Sequence, residues 1–170
     1  MTDVQRLHIT QGEYATGTDD RVMITTLLGS CVSCCLWDPV AGVGGMNHML
    51  LTNPSAGETA RALSGSHAME ILINSLIKLG ARRDRLQAKA FGGARMIKGL
   101  SDIGMQNAEF TVSYLAQERI PLVTQSLGGQ QARNLRFWPA TGRAMQKLTD
   151  TRVRDVEVMP PARGHGLELF

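Results

Sequence analysis

The chain reads as an α+β protein: a layered α/β sandwich in which mixed and antiparallel β-sheet layers are flanked by helices. Three observations carry that expectation. Short apolar runs rich in β-branched residues crowd the first fifty positions, Val22 to Leu28 and Cys31 to Trp37 among them. A helical spacing of apolar residues sets in only from His67 onward. No GxGxxG turn and no Walker lysine motif marks a doubly wound nucleotide-binding fold.

The bulk properties agree. A chain of 170 residues fits one domain, expected over residues 1–160, with 161–170 as a flexible tail. With 43% hydrophobic and 19% charged residues it is globular and not disordered. No apolar run approaches the ~18 residues that span a bilayer. Met1 to Thr10 lacks a charged segment followed by an apolar one, so the chain reads as unexported and cytoplasmic, without direct membrane insertion. A net charge of +3 with no dense Lys/Arg tract speaks against nucleic-acid binding. Cys31, Cys34 and Cys35 are an odd set within five residues, which is no disulfide framework and suits a reducing compartment.

Each element follows in order. Leu7 to Thr10 is a short strand candidate, then a loop runs through Gly12, Gly17 and Asp19-Asp20. Val22 to Leu28 is a strand bounded by Arg21 and Gly29; Cys31 to Trp37 is a second, stopped by Asp38-Pro39. Gly42 to Gly45 leads into a third, Met46 to Leu51, and the three are close enough for an antiparallel meander. Thr52 to Ser66 is polar and reads as a loop. Met69, Leu72, Ile73, Leu76 and Leu79 then mark a helix closed by Gly80. Ala88 to Phe91 is a short strand, ended by Gly92-Gly93. Ser101 or Asp102 caps a second helix whose apolar positions are Met105, Ala108, Val112 and Leu115. Ile120 to Gln125 is a strand, Leu135 to Trp138 and Arg143 to Leu148 form a hairpin, and Val153 to Met159 suits an edge strand.

The densest chemical signal is Thr25-Thr26-Leu27-Leu28-Gly29-Ser30-Cys31. A cysteine just after a glycine, between two apolar strands, sits at a tight turn with backbone amides nearby. A nucleophilic thiol needs a base. Of the four histidines, His8 and His165 lie toward the ends and His67 opens a helix, whereas His48 lies on the strand after that of Cys31. Antiparallel neighbours bring side chains seventeen residues apart into contact across a loose hairpin. Thr25, on the preceding strand, is placed to accept from the imidazole and fix its tautomer. Against this stand blander readings: an inert buried cysteine, a core histidine, and a threonine that is simply a good strand former. Cys31-Val32-Ser33-Cys34 is formally a CxxC, but redox pairs open helices and this one opens a strand, where positions three apart face opposite sides. A zinc site would lack a second ligand pair.

Together these residues resemble the chemoreceptor glutamine deamidase family, CheD. The likeness rests on Leu28-Gly29-Ser30-Cys31-Val32, Trp37-Asp38-Pro39 and Gly44-Gly45-Met46-Asn47-His48-Met49-Leu50-Leu51. It continues in Ala88 to Met96, Ile103-Gly104 with Asn107, Ile120-Pro121-Leu122 and Gly128-Gly129, so it covers roughly residues 7 to 148. The resemblance implies Cys31, His48 and Thr25 as catalytic residues, with no metal and no cofactor. It implies hydrolysis of glutamine side-chain amides in methyl-accepting chemotaxis receptors. It further implies a fold similar to the catalytic domain of cytotoxic necrotizing factor and, in some members, a CheC-type phosphatase partner. Two departures are plain: Gln130-Gln131-Ala132-Arg133-Asn134 follows Gly128-Gly129 where the family shows a Gly-Arg pair, and Thr52-Asn53-Pro54 follows the histidine block where a proline is usual.

The expected chemistry is attack by the Cys31 thiol on a carboxamide carbon with His48 as proton carrier, and with backbone amides around Ser30 and Cys31 as the oxyanion site. The thiol should then titrate below the ~8.5 of a free cysteine. The site should be an open depression framed by Gly42 to Gly45 and the 52–66 segment. The alternative is a non-catalytic regulatory module that binds chemoreceptors or a chemotaxis phosphatase.

Overall fold

Val22–Leu28 (β3) and Val32–Asp38 (β4) are separated by only three residues, yet they belong to different sheets. This computed structural model describes residues 3–51, 57–98, 102–149 and 154–155. The other elements are β1 (Gln5–His8), β2 (Tyr14–Gly17), β5 (Val43–Asn47), α1 (Glu58–Lys78), β6 (Gln87–Gly92), β7 (Ile97–Lys98), α2 (Ile103–Gln117), β8 (Leu122–Leu127), β9 (Arg133–Trp138), β10 (Arg143–Leu148) and β11 (Arg154–Asp155). One sheet runs β1-β3-β9-β10 and the other β2-β5-β4-β6-β8, with β7 and β11 pairing apart. Both main sheets are mixed: β1 lies parallel to β3 and β8 parallel to β6, among antiparallel neighbours.

Burial explains the layering. Every residue of β4 is buried, so this strand is covered on both faces. Cys31, Cys35 and Trp37 face the first sheet, where they meet Ile24, Leu28, Leu135 and Phe137. Val32, Cys34 and Leu36 face the helices, where they meet Met69, Leu72, Ile73 and Leu76 of α1 and Leu115 of α2. The result is three layers, sheet on sheet on helices, which is the α+β sandwich that the sequence predicts.

Several expectations are corrected. The meander of three strands does not form, because Gly29 to Cys31 turns the chain from one sheet to the other. Tyr14–Gly17 is a strand where a loop was expected; it pairs with β5 as a short edge. The third strand starts at Val43 and takes in both glycines, since a Cβ on Gly44 would lie 2.2 Å from the Pro139 carbonyl oxygen. The first helix starts at Glu58 and not at His67. Its Gly65 is a packing residue: a Cβ there would sit 2.4 Å from the Phe110 ring. On α2 the buried face is Gly104, Asn107, Thr111, Tyr114 and Leu115, while Met105 and Val112 are exposed. Asp102, not Ser101, caps that helix, accepting from Met105 N at 2.9 Å. The edge strand expected over 153–159 lies largely outside the described residues, and the 161–170 tail wholly so. No helix among the described residues is long and apolar enough to cross a membrane.

Asp38 of the Trp-Asp-Pro motif ends β4 as a structural carboxylate. Burial alone would raise its pKa, but bonds from the N–H groups of Arg82, Ala41 and Val40 and from the Arg85 guanidinium outweigh it and hold the group at about 2.

Candidate active site

Register places the two reactive side chains. Val32 and Met49 exchange both backbone bonds, at 3.0 and 2.8 Å, and Cys35 pairs with Met46 in the same register. Ser33 therefore lies opposite His48 and Cys31 opposite Leu50, on the face toward the first sheet. Cys31 and His48 are diagonal neighbours, a separation of about 7–8 Å between backbones that an imidazole can bridge. The sequence reading expects this pair on neighbouring strands, and the register makes them diagonal neighbours.

Cys31 sits on a turn whose three carbonyls are each held. Gly29 O accepts from Ala94 N at 3.0 Å, Ser30 O from Asn107 Nδ2 at 2.8 Å and Cys31 O from Gly93 N at 2.8 Å. This gives the Phe91-Gly92-Gly93-Ala94 block its reason. Gly92 takes φ +111°, and a Cβ there would lie 2.2 Å from Cys31 O. Arg133, buried beneath, donates to the carbonyls of Gly92, Ser126 and Gly128, tying the two glycine pairs together.

His48 is gripped from the other side. Its N–H donates to Glu13 O at 3.0 Å and its carbonyl accepts from Gly12 N at 2.9 Å. Its Nδ1 lies 2.7 Å from Oγ1 of Thr26, not of Thr25. Thr26 Oγ1 in turn donates to Ile9 O at 2.7 Å. A hydroxyl has one proton. The Ile9 carbonyl can only accept, so that proton is committed and Thr26 must accept from His48. Nδ1 therefore carries the hydrogen, and Nε2 keeps a free lone pair as a base.

Thr25 is corrected accordingly. Ile24, Thr26 and Leu28 alternate onto the inner face of β3, which packs over β5 from the opposite sheet. Thr25 points the other way, and its Oγ1 bonds Nδ1 of His8 at 2.9 Å. His8 is thus not in a loose end but in β1, paired with Thr25 in register. His165 lies outside the described residues. Sequence reasoning missed Thr26, Asn107 and the Ile9 carbonyl. The adjacent Thr25-Thr26 pair was the available signal, but only strand parity chooses between them.

The electrostatics favour neutral partners at rest. Burial pushes the Cys31 thiol up to about 11, against the expected lowering. Burial, then the nearby charge of His8, pull His48 down to about 4, with Glu13 opposing. The open depression is corrected too: Cys31 is 9% and His48 7% exposed. A cavity of about 170 Å³ lies beside His48, walled by Gly12, Glu13 and Leu50 and by Ser64 and His67 of α1. Gly42 lies at the distant β4–β5 turn, bonded to Asp38 O at 2.9 Å, and Gly44 and Gly45 lie within β5; of the 52–66 frame, 52–56 fall outside the described residues. Cys34 faces the helical layer while Cys31 faces the sheet, so the CxxC cannot close on one ion or one disulfide.

The family model for CheD, chemotactic sensory transduction, matches residues 49–148. A probable chemoreceptor glutamine deamidase CheD from Caulobacter sp. (strain K31) is 47% identical, with 97% of this chain and 93% of that protein covered. Proteins of the same description from Rhizobium johnstonii and Agrobacterium fabrum are 54% and 53% identical, each covering 84% of this chain and 79% of the relative. Among solved structures, the hypothetical protein YfiH of Bacillus licheniformis superposes with a TM-score of 0.44 at 11% identity, over 73% of this chain and 60% of that one.

Proposed function

The chain belongs to the CheD family, and from that premise we propose that it is a protein-glutamine deamidase, converting glutamine side chains of chemoreceptors to glutamate with release of ammonia. The observation that supports the reading is the tautomer lock: Thr26 leaves Nε2 of His48 unprotonated, as a base serving a thiol on the neighbouring strand requires.

Cys31 Sγ bonds to the carboxamide carbon as its proton passes to His48 Nε2, and the carbonyl π pair moves onto oxygen. With both partners neutral at rest, this transfer accompanies bond formation instead of preceding it. The oxyanion collapses, the C–N bond breaks, and the nitrogen leaves as ammonia with the proton from His48. Water, deprotonated by His48, opens the thioester; the oxygen stays on the new carboxyl group and the proton returns to sulfur.

The partners follow from the same reading. Substrates are methyl-accepting receptors offering glutamine from a helical surface, and a CheC-type phosphatase is a second partner. The place of action is the cytoplasm. Mass spectrometry of receptor cytoplasmic fragments incubated with protein tests the reading: glutamine-to-glutamate conversion and ammonia release are expected, and both are lost in Cys31→Ala and His48→Ala. Conversion that survives Cys31→Ala would sink the Cys31 mechanism, and no conversion by wild type would leave a binding module.

A further inference from the structure

We infer that the backbone N–H of Cys31 is the oxyanion donor, and that Asn107 is the positioning residue that aims it. This rests on the deamidase reading and deepens it.

Asn107 is 2% exposed on the inward face of α2, where an apolar residue would be the ordinary choice. Both ends of its side chain are used. Nδ2 donates to Ser30 O at 2.8 Å, and Oδ1 accepts from Leu51 N at 3.2 Å. Helix α2 thereby ties the residue before the nucleophile to the segment that leaves His48.

The bond to Ser30 has a further effect. The peptide bonds among the described residues are trans, so the Ser30 carbonyl and the Cys31 N–H point in opposite directions from one rigid plane. Holding the carbonyl on Asn107 fixes the N–H away from α2. That N–H belongs to the nucleophile, so an oxygen on the carbon attacked by Sγ comes within its reach, as for other acyl-transfer nucleophiles. The flanking planes cannot swing either, since Gly29 O and Cys31 O are held by Ala94 N and Gly93 N. A donor fixed before reaction costs no reorganisation during it.

Asn107→Asp is the test, on the full chain with receptor fragment as substrate. A carboxylate still accepts from Leu51 N but repels Ser30 O, which turns the peptide plane. Turnover at neutral pH should fall about 100-fold with KM unchanged. Acid should restore it, because a protonated carboxyl donates again and burial raises the pH at which it protonates. Wild type should stay flat as long as the pH stays well above the value of about 4 at which His48 takes up its proton, and the recovery is read there. Alkylation of Cys31 by iodoacetamide is a displacement at saturated carbon and forms no oxyanion, so its rate should stay within about twofold. If Asn107→Asp does not fold, Asn107→Ser keeps a smaller donor and should lose roughly tenfold in turnover with the same unchanged alkylation. Alkylation and turnover falling together, or no recovery in acid, would show a merely structural staple and overturn the inference. So would an unimpaired variant beside an active wild type. An inactive wild type overturns the deamidase reading instead.

Discussion

Thr26 Oγ1 stands 2.7 Å from Nδ1 of His48 and 2.7 Å from the carbonyl oxygen of Ile9. One hydroxyl thus joins β3 to the residues that follow β1 and β5, and its single proton sets which imidazole nitrogen keeps a lone pair. Thr26→Val keeps the shape and removes the acceptor. Turnover should drop about 10–100-fold, as expected for a misaligned general base, with little change in KM. Thr26→Ser should restore most of it. Thr25→Val should cost no more than about twofold, because its hydroxyl meets His8 instead. A Thr25 effect larger than the Thr26 effect would return the orienting role to Thr25.

The acid limb of activity should respond to two charges in opposite directions. His48 must be neutral to accept a proton, and its pKa lies at about 4. Activity is therefore full well above that value and is lost as pH falls through it. His8 lowers this pKa, so His8→Asn should raise it and move the limb to higher pH. Glu13 raises it, so Glu13→Gln should move the limb to lower pH. The logarithm of kcat/KM against pH reads both, and shifts of the same sign would refute the assignment of the limb to His48.

How much of this was legible from the sequence depends on parity. The strands Val22–Leu28 and Val32–Asp38 were legible because both are short and largely apolar, the first also β-branched, and the second ends at Asp38-Pro39. The register that sets Cys31 and His48 on neighbouring strands was legible because a hairpin fixes its own register. Thr26 was not. The choice between Thr25 and Thr26 requires knowing that β3 crosses over β5 from another sheet, and nothing local to Gly29-Ser30 announces that corner. Asn107 was hidden for a related reason. Asn107 and Thr111 interrupt the apolar stripe of α2 on its buried face, so hydrophobic periodicity pointed instead to Met105 and Val112, which are exposed. The start of α1 was masked by Gly65 and the serines around it, although Gly65 is present because Phe110 leaves no room for a side chain.

Cys31 should label slowly for a reactive thiol. Burial holds its pKa at about 11, so the iodoacetamide rate should keep rising with pH past the ~8.5 of an ordinary thiol. Cys34, at about 12, and Cys35, well above its ordinary value, are fully buried and should label more slowly still. A midpoint below neutrality for Cys31 would mean a preformed thiolate–imidazolium pair and would overturn the neutral resting state.

Gly92 and Gly128 separate backbone strain from support of the nucleophile. Both take positive φ, +111° and +88°, where a side chain costs on the order of 1–3 kcal/mol. A Cβ on Gly128 meets nothing within 4 Å, whereas one on Gly92 would lie 2.2 Å from Cys31 O. Gly128→Ala should therefore lower the melting temperature and leave turnover near wild type. Gly92→Ala should lower it too, and must also push the Cys31 carbonyl off Gly93 N, its hydrogen-bond donor at 2.8 Å. The nucleophile then loses one of the three bonds that hold its turn. Turnover should fall at least tenfold, since small displacements of reacting groups cost rate steeply. Equal turnover in the two variants, at comparable losses of stability, would show that the glycine block serves folding alone and leaves Cys31 to be positioned by β4.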